Sequence, residues 1–187
     1  GVWPYSLAVI TAGLQHCYAA LTEDIRQKFG VTPTTYGAMG ISGMMHGYMA
    51  FDKDDNLLVP FRTWRNTITE QAASELSELL CFNIPQRWSI AHLYQAILNG
   101  EEHVRHIAHI NTLAGYIHYR LTGKRQVGIG EASGIFPVDS TGYNADYIKK
   151  VDEVLFAKGL SVKLAEVLPS VLNAGAKEAC LTADGGK

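Results

Sequence analysis

Apolar residues at three- and four-residue steps dominate the start of the chain. Leu7, Ile10, Leu14, Tyr18, Leu21 and Ile25 mark one face of a helix over residues 5–29, and Gly30 stops it. Residues 34–42 are short, β-prone and end at Gly43, which predicts a strand feeding a loop. The apolar run 47–51, the polar turn 52–56 and the run 57–59 before Pro60 predict a hairpin. Helical periodicity returns over 67–80, with Thr67 or Thr69 as cap and Glu70 in the first turn. Further helices are predicted over 90–98, closed by Asn99 and Gly100, and over 113–121, closed by Thr122 and Gly123. Two more follow over 144–156 and over 162–168, the latter ending before Pro169. Helices interleaved with a few strands give an α/β class, with part of the sheet expected outside these residues. No internal repeat, low-complexity segment or linker interrupts the pattern.

Composition narrows the function classes. A length of 187 residues suits one domain or most of one, and 47% hydrophobic with 18% charged residues suits a globular core. The net charge of −2 leaves no basic excess to neutralise phosphates, so no nucleic-acid partner is expected. No apolar run approaches the ~20 residues of a bilayer span, so no membrane association is expected either. The opening Gly1-Val-Trp-Pro has no basic n-region or cleavage pattern, so no signal peptide is expected. It also lacks an initiator Met, so processing or trimming of a longer chain is expected. Cys17, Cys81 and Cys180 are odd in number and widely spaced. They predict buried or partly buried free thiols in a reducing, cytoplasmic setting.

Three segments carry candidate chemistry. The run 40–47, Gly-Ile-Ser-Gly-Met-Met-His-Gly, packs three glycines into eight residues and offers His46 as a donor or acceptor with Met44 and Met45 as an apolar wall. It reads equally as a ligand-facing loop and as a plain turn with a satisfied histidine. The run 61–67, Phe-Arg-Thr-Trp-Arg-Asn-Thr, offers the flat face of Trp64 and the hydroxyl-recognising types Arg65, Asn66 and Thr67. It reads also as a helix start, with Asn66 as cap and Trp64 in the core. The glycine-rich run 128–139 completes neither phosphate-binding glycine motif and predicts a turn followed by a short strand. His103, His106 and His109 stand three apart, a spacing that drifts around a helix, and no metal site is expected from them. No nucleophile–base pair is visible, and Ser42 and Ser133 lack the nucleophile-elbow pattern.

In this order the segments resemble the N-terminal domain of the FGGY carbohydrate kinases. Residues 41–47 resemble the family's I-[SA]-G-Q-M-H-G loop, and Trp64-Arg-Asn66 resembles its W-x-D-x-R motif. Tyr119-Arg-Leu-Thr-Gly123 resembles its Y-R-L-T-G helix end, and Ala132-Ser-Gly134 followed by Asp139 its A-S-G strand. The resemblance implies a ribonuclease-H-like (actin/hexokinase ATPase) α/β fold, incomplete at both ends. Residues 1–187 would then be part of the sugar-binding domain, and the ATP-binding domain would lie outside them. It also implies ATP with Mg²⁺ in an interdomain cleft and a sugar or polyol substrate. Met45 and His46 would meet the sugar, with Trp64, Arg65 and Asn66 lining the same pocket. The catalytic Asp is expected beyond Lys187, since Asp184 in Thr-Ala-Asp-Gly does not match the family's motif. The phosphate-contacting hairpin is expected before Gly1, so these residues alone are expected not to transfer phosphate. The sheet edge so exposed calls for a neighbouring domain or a second copy, a homodimer being one such arrangement. Met44 for the usual Gln, Asn66 for Asp, Leu113-Ala-Gly-Tyr116 for P-K-D-Y and residues 86–92 for F-T-x-P-K mark a divergent subgroup. A xylulose-like pentulose leads among the substrates implied. The alternative is a non-catalytic sugar-binding relative on the same fold.

Overall fold

The molecule is organised around one short strand, β1 (Gly47–Phe51), whose five residues are all buried. Successive side chains of a strand face opposite sides. Tyr48 and Ala50 accordingly enter the main core with Leu76, Leu80, Ile90 and Leu93. Met49 and Phe51 enter a second cluster with Phe61 and Tyr116. Burial on both faces explains why this run carries no charged residue. The structure is a computed structural model that describes residues 5–176 and 179–186.

β1 pairs antiparallel with β2 (Arg62–Thr63) through Gly47↔Thr63 and Tyr48↔Arg62. On its other edge it pairs antiparallel with β3 (His109–Asn111) through Met49↔Asn111, Ala50↔Ile110 and Phe51↔His109. A second, parallel pair joins β4 (Gln126–Gly128) to β7 (Ser170–Leu172). A tight hairpin joins β5 (Val138–Asp139) to β6 (Gly142–Tyr143). The helices are α1 (Leu7–Phe29), α2 (Glu70–Leu80), α3 (Ser89–Leu98), α4 (Leu113–Thr122), α5 (Ile129–Ala132), α6 (Ala145–Ala157) and α7 (Leu164–Val167). Four of the five helices expected after residue 66 begin and end within about two residues of the periodic pattern, the usual spread of boundary definitions. The fifth, α2, starts three residues later than the expected 67–80.

Several expectations are corrected. Residues 34–42 form no strand, because no described segment offers them a partner edge and their backbone stays open. The hairpin turn forms, with Asp52 Oδ1 accepting from the amides of Asp54 and Asn56 at 2.9 Å each. Its second arm is reduced to a Phe51↔Leu57 bridge and a bond from Leu58 N to Ala50 O. Pro60 has no N–H to continue the ladder, and pairing resumes at β2. Thr69 holds the N-cap position of α2, yet its hydroxyl donates to Gln86 O at 2.6 Å instead of capping. The run 128–139 places the short helix α5 before its strand. All three cysteines are exposed rather than buried. Cys17 lies on α1, which buries none of its residues, and Cys81 lies in the left-handed C-cap of α2 at φ 49°. His103 lies in a 3₁₀ turn (Glu102–His106) and His109 in β3, so the three histidines share no helix face. Among the described residues no helix is long and apolar enough to cross a membrane.

Candidate functional site

Gly47 is the point where the candidate segments meet. Its φ of 112° is open to glycine alone, and a Cβ there would stand 2.6 Å from the carbonyl oxygen of Arg62. Its N–H donates to Arg87 O at 3.1 Å, and its carbonyl accepts from Ser89 Oγ at 2.6 Å. The terminal pair Gly47↔Thr63 puts His46 and Trp64 one residue beyond the ladder on adjacent strands. The loops before β1 and after β2 are thus brought to one end of the β1–β2 pair, with the start of α3 beside them.

Each predicted residue has a definite place. Met44 packs against the second cluster. The Met45 carbonyl faces Gly134, where a Cβ would approach it to 2.6 Å. His46 is half-buried, and its Nδ1 donates to the Gly134 carbonyl at 3.3 Å. Burial, aided by the nearby Arg87 charge, holds the ring below the ordinary histidine pKa, against a smaller opposing effect of that bond. Trp64 is 47% exposed, not in the core, and the Arg65 guanidinium lies 5.4 Å from its ring centroid. Asn66 is buried and does not cap α2. Its backbone N–H and its Nδ2 both donate to Thr63 O, at 3.1 and 2.9 Å, which closes the turn after β2. Its Oδ1 is left as a buried acceptor with no partner among the described residues.

A buried polar network stands behind this end of the sheet. Tyr48 hydroxyl meets His103 Nε2 at 2.9 Å, and burial pushes the phenol well above its usual range. Arg62 holds Glu101 through two hydrogen bonds, one of 3.2 Å, and Glu101 lies 3.4 Å from His103 Nδ1. His92 stacks on Tyr48 with both ring nitrogens buried and unpartnered, and burial lowers its pKa to about 4. Neutral His92 is therefore a packing group at neutral pH. Arg62 anchors β2, and Tyr48 anchors β1, so the network fixes the two strands that carry Trp64 and His46.

Sequence reasoning missed Gly134 and Arg87 as neighbours of the site. The A-S-G motif marked Gly134 without saying what it faces, and Arg87 lies in a segment noted only for its departure from the family pattern. Two surface clefts, of about 340 and 180 Å³, lie away from His46 and Trp64. The smaller is lined by Met39, just before the site loop, by Ile41 near its start, and by Glu131, before Gly134.

The sequence profile of the FGGY family of carbohydrate kinases, N-terminal domain, matches residues 10–184. The chain belongs to this family. No curated protein matches significantly. Among solved structures, a xyloylose kinase from Brucella ovis superposes with TM-score 0.71 at 20% identity, covering 91% of this chain and 35% of its own. A ligand-bound xylulose kinase from Lactobacillus acidophilus gives TM-score 0.73 at 16% identity, over 99% and 38%. A Plasmodium falciparum glycerol kinase with ADP gives 0.73 at 14%, over 99% and 38%. This FGGY chain therefore has the actin/hexokinase ATPase fold and spans little more than a third of these relatives.

ATP and Mg²⁺, which the family implies, do not fit the described residues. No group of three His, Cys, Asp or Glu side chains among them is placed to hold a metal ion. Gly134, in the glycine-rich run, faces His46 and Met45 rather than an open cradle.

Proposed function

We propose that the protein containing these residues is an ATP-dependent sugar kinase whose acceptor is a ketose or polyol, a xylulose-like pentulose first among them. These residues belong to its sugar-binding domain and supply one wall of the sugar site. ATP, Mg²⁺ and the catalytic Asp belong to parts of the protein outside them. A cytoplasmic location suits three exposed thiols. The observation that carries the reading is the convergence of His46 and Trp64 at one end of β1–β2, within a chain matched to the family's N-terminal domain.

In this reading the residues bind and orient. Neutral His46 hydrogen-bonds a sugar hydroxyl, and the exposed Trp64 ring covers a C–H face of the sugar. Arg65 and Arg87, both exposed, supply donors at the rim. Holding the acceptor hydroxyl in place is the main contribution a protein makes to phosphoryl transfer.

The test is ADP release by the complete protein on a panel of ketoses and polyols, wild type beside His46→Ala. Turnover on one sugar is expected, with the variant raising KM for that sugar about tenfold or more and KM for ATP unchanged. Intact ATP and sugar binding with no turnover on any sugar would favour the non-catalytic relative. Absence of ATP binding would sink the kinase assignment.

A further inference from the structure

Gly134 belongs to the turn after α5, eighty-eight residues from His46 in sequence, yet it touches the ring directly. A carbonyl oxygen only accepts, so the bond from His46 to Gly134 O requires a hydrogen on Nδ1. A neutral ring carries one N–H, so its Nε2 then holds a lone pair. Nε2 makes no hydrogen bond to the described residues. The carbonyl is well fixed: Gly134 N donates to Glu131 O at 2.9 Å, and the next carbonyl, Ile135 O, accepts from Ile90 N at 3.1 Å at the start of α3.

We propose that Gly134 is a positioning residue that locks His46 in the Nδ1–H tautomer, so that Nε2 meets the ligand as an acceptor from a hydroxyl. The inference rests on the sugar-site reading only for what Nε2 meets. The lock itself is a property of the chain. It assigns chemistry to the ligand, which must present a hydroxyl donor, not a carbonyl or ether oxygen, at this point. It also explains the glycine. A Cβ at residue 134 would lie 2.6 Å from Nδ1, 2.8 Å from Cε1 and 2.6 Å from the Met45 carbonyl oxygen. The Met45 carbonyl is backbone and cannot swing away, so any side chain at 134 drives the turn off the ring.

The test is nitrogen NMR of the ¹⁵N-histidine-labelled protein at about pH 8, where imidazole is neutral. The His46 signals are assigned by their loss in His46→Gln. A majority Nδ1–H form in the wild type, moving toward Nε2–H in Gly134→Ala, is the expected result. A majority Nε2–H form in the wild type would overturn the proposal without any variant having to fold. So would a His46 tautomer that Gly134→Ala leaves unmoved. Titration with the ketose panel is a separate readout. The expected result is a shift of the Nε2 resonance by the bound sugar and affinity about tenfold or more weaker in Gly134→Ala. A panel that moves no resonance counts against the sugar site and leaves the tautomer result standing.

Discussion

Replacing Gly47 by alanine is the sharpest perturbation of this architecture. The residue has φ 112°, outside the range of L side chains, and such strain costs about 1–3 kcal/mol. The added Cβ would stand 2.6 Å from Arg62 O, a backbone atom of β2, and 3.0 Å from Cε2 of the buried Phe61. Overpacking of that kind costs about 1–3 kcal/mol more. The sum, about 2–6 kcal/mol, is a large share of the ordinary stability of a domain. With a urea m-value of about 2 kcal/mol/M, the midpoint should fall by about 1–3 M. Equilibrium urea unfolding followed by far-ultraviolet circular dichroism measures it. Gly37→Ala is the control, since Gly37 has an ordinary φ and nothing within 4 Å of its Cβ position. That variant should stay within about 0.5 kcal/mol of wild type. A Gly47→Ala midpoint no lower than that of Gly37→Ala would refute the claim that Gly47 holds the two candidate loops together.

Tyr48→Phe removes the buried bond to His103 and should lower stability by about 1–2 kcal/mol in the same urea assay, leaving His103 Nε2 without its partner. His92 supplies a pH dependence. Its folded pKa of about 4 lies below the ordinary 6.5, so the unfolded chain binds the proton more readily between those values. Its contribution is present in full above about pH 6.5 and is lost as pH falls toward 4, to a total of about 3 kcal/mol. His92→Phe keeps a ring against Tyr48 and removes two unpartnered nitrogens. Its midpoint in urea at about pH 5 should match or exceed wild type, with a shallower loss of stability on acidification; an unchanged slope would show that His92 is not the titrating group. Cys17, Cys81 and Cys180 should all react with iodoacetamide in the folded protein, read by intact mass, and a thiol labelled only in denaturant would contradict its exposure.

The residues alone determined whatever depends on neighbours in sequence. The helices α1, α3, α4 and α6 were legible because a helix satisfies its backbone internally and its apolar residues recur at fixed steps. That period matches a buried stripe in α6, at Val151 and Leu155, whereas residues 89–96 of α3 are buried throughout and α1 buries none of its residues. Gly30 and Gly123 both take the left-handed C-caps that their places after the periodic runs foretold. The family motifs were legible as well, and they named the FGGY fold before any distance was known. Strands were legible only where a partner was present. Residues 34–42 have the composition of a strand yet form none, and 57–59 yielded their pairing to Arg62 and Thr63 across Pro60. Thiol exposure was misread because Cys is usually buried, whereas Cys81 takes a left-handed cap that turns it to solvent. The tertiary structure alone decided that Asn66 is buried as the clasp of its own turn, that Trp64 is exposed beside Arg65, and that Gly134 meets His46 across eighty-eight residues. Spacing along a chain fixes which residues share a helix face or a strand face, but contacts between distant segments depend on the packing of the whole core.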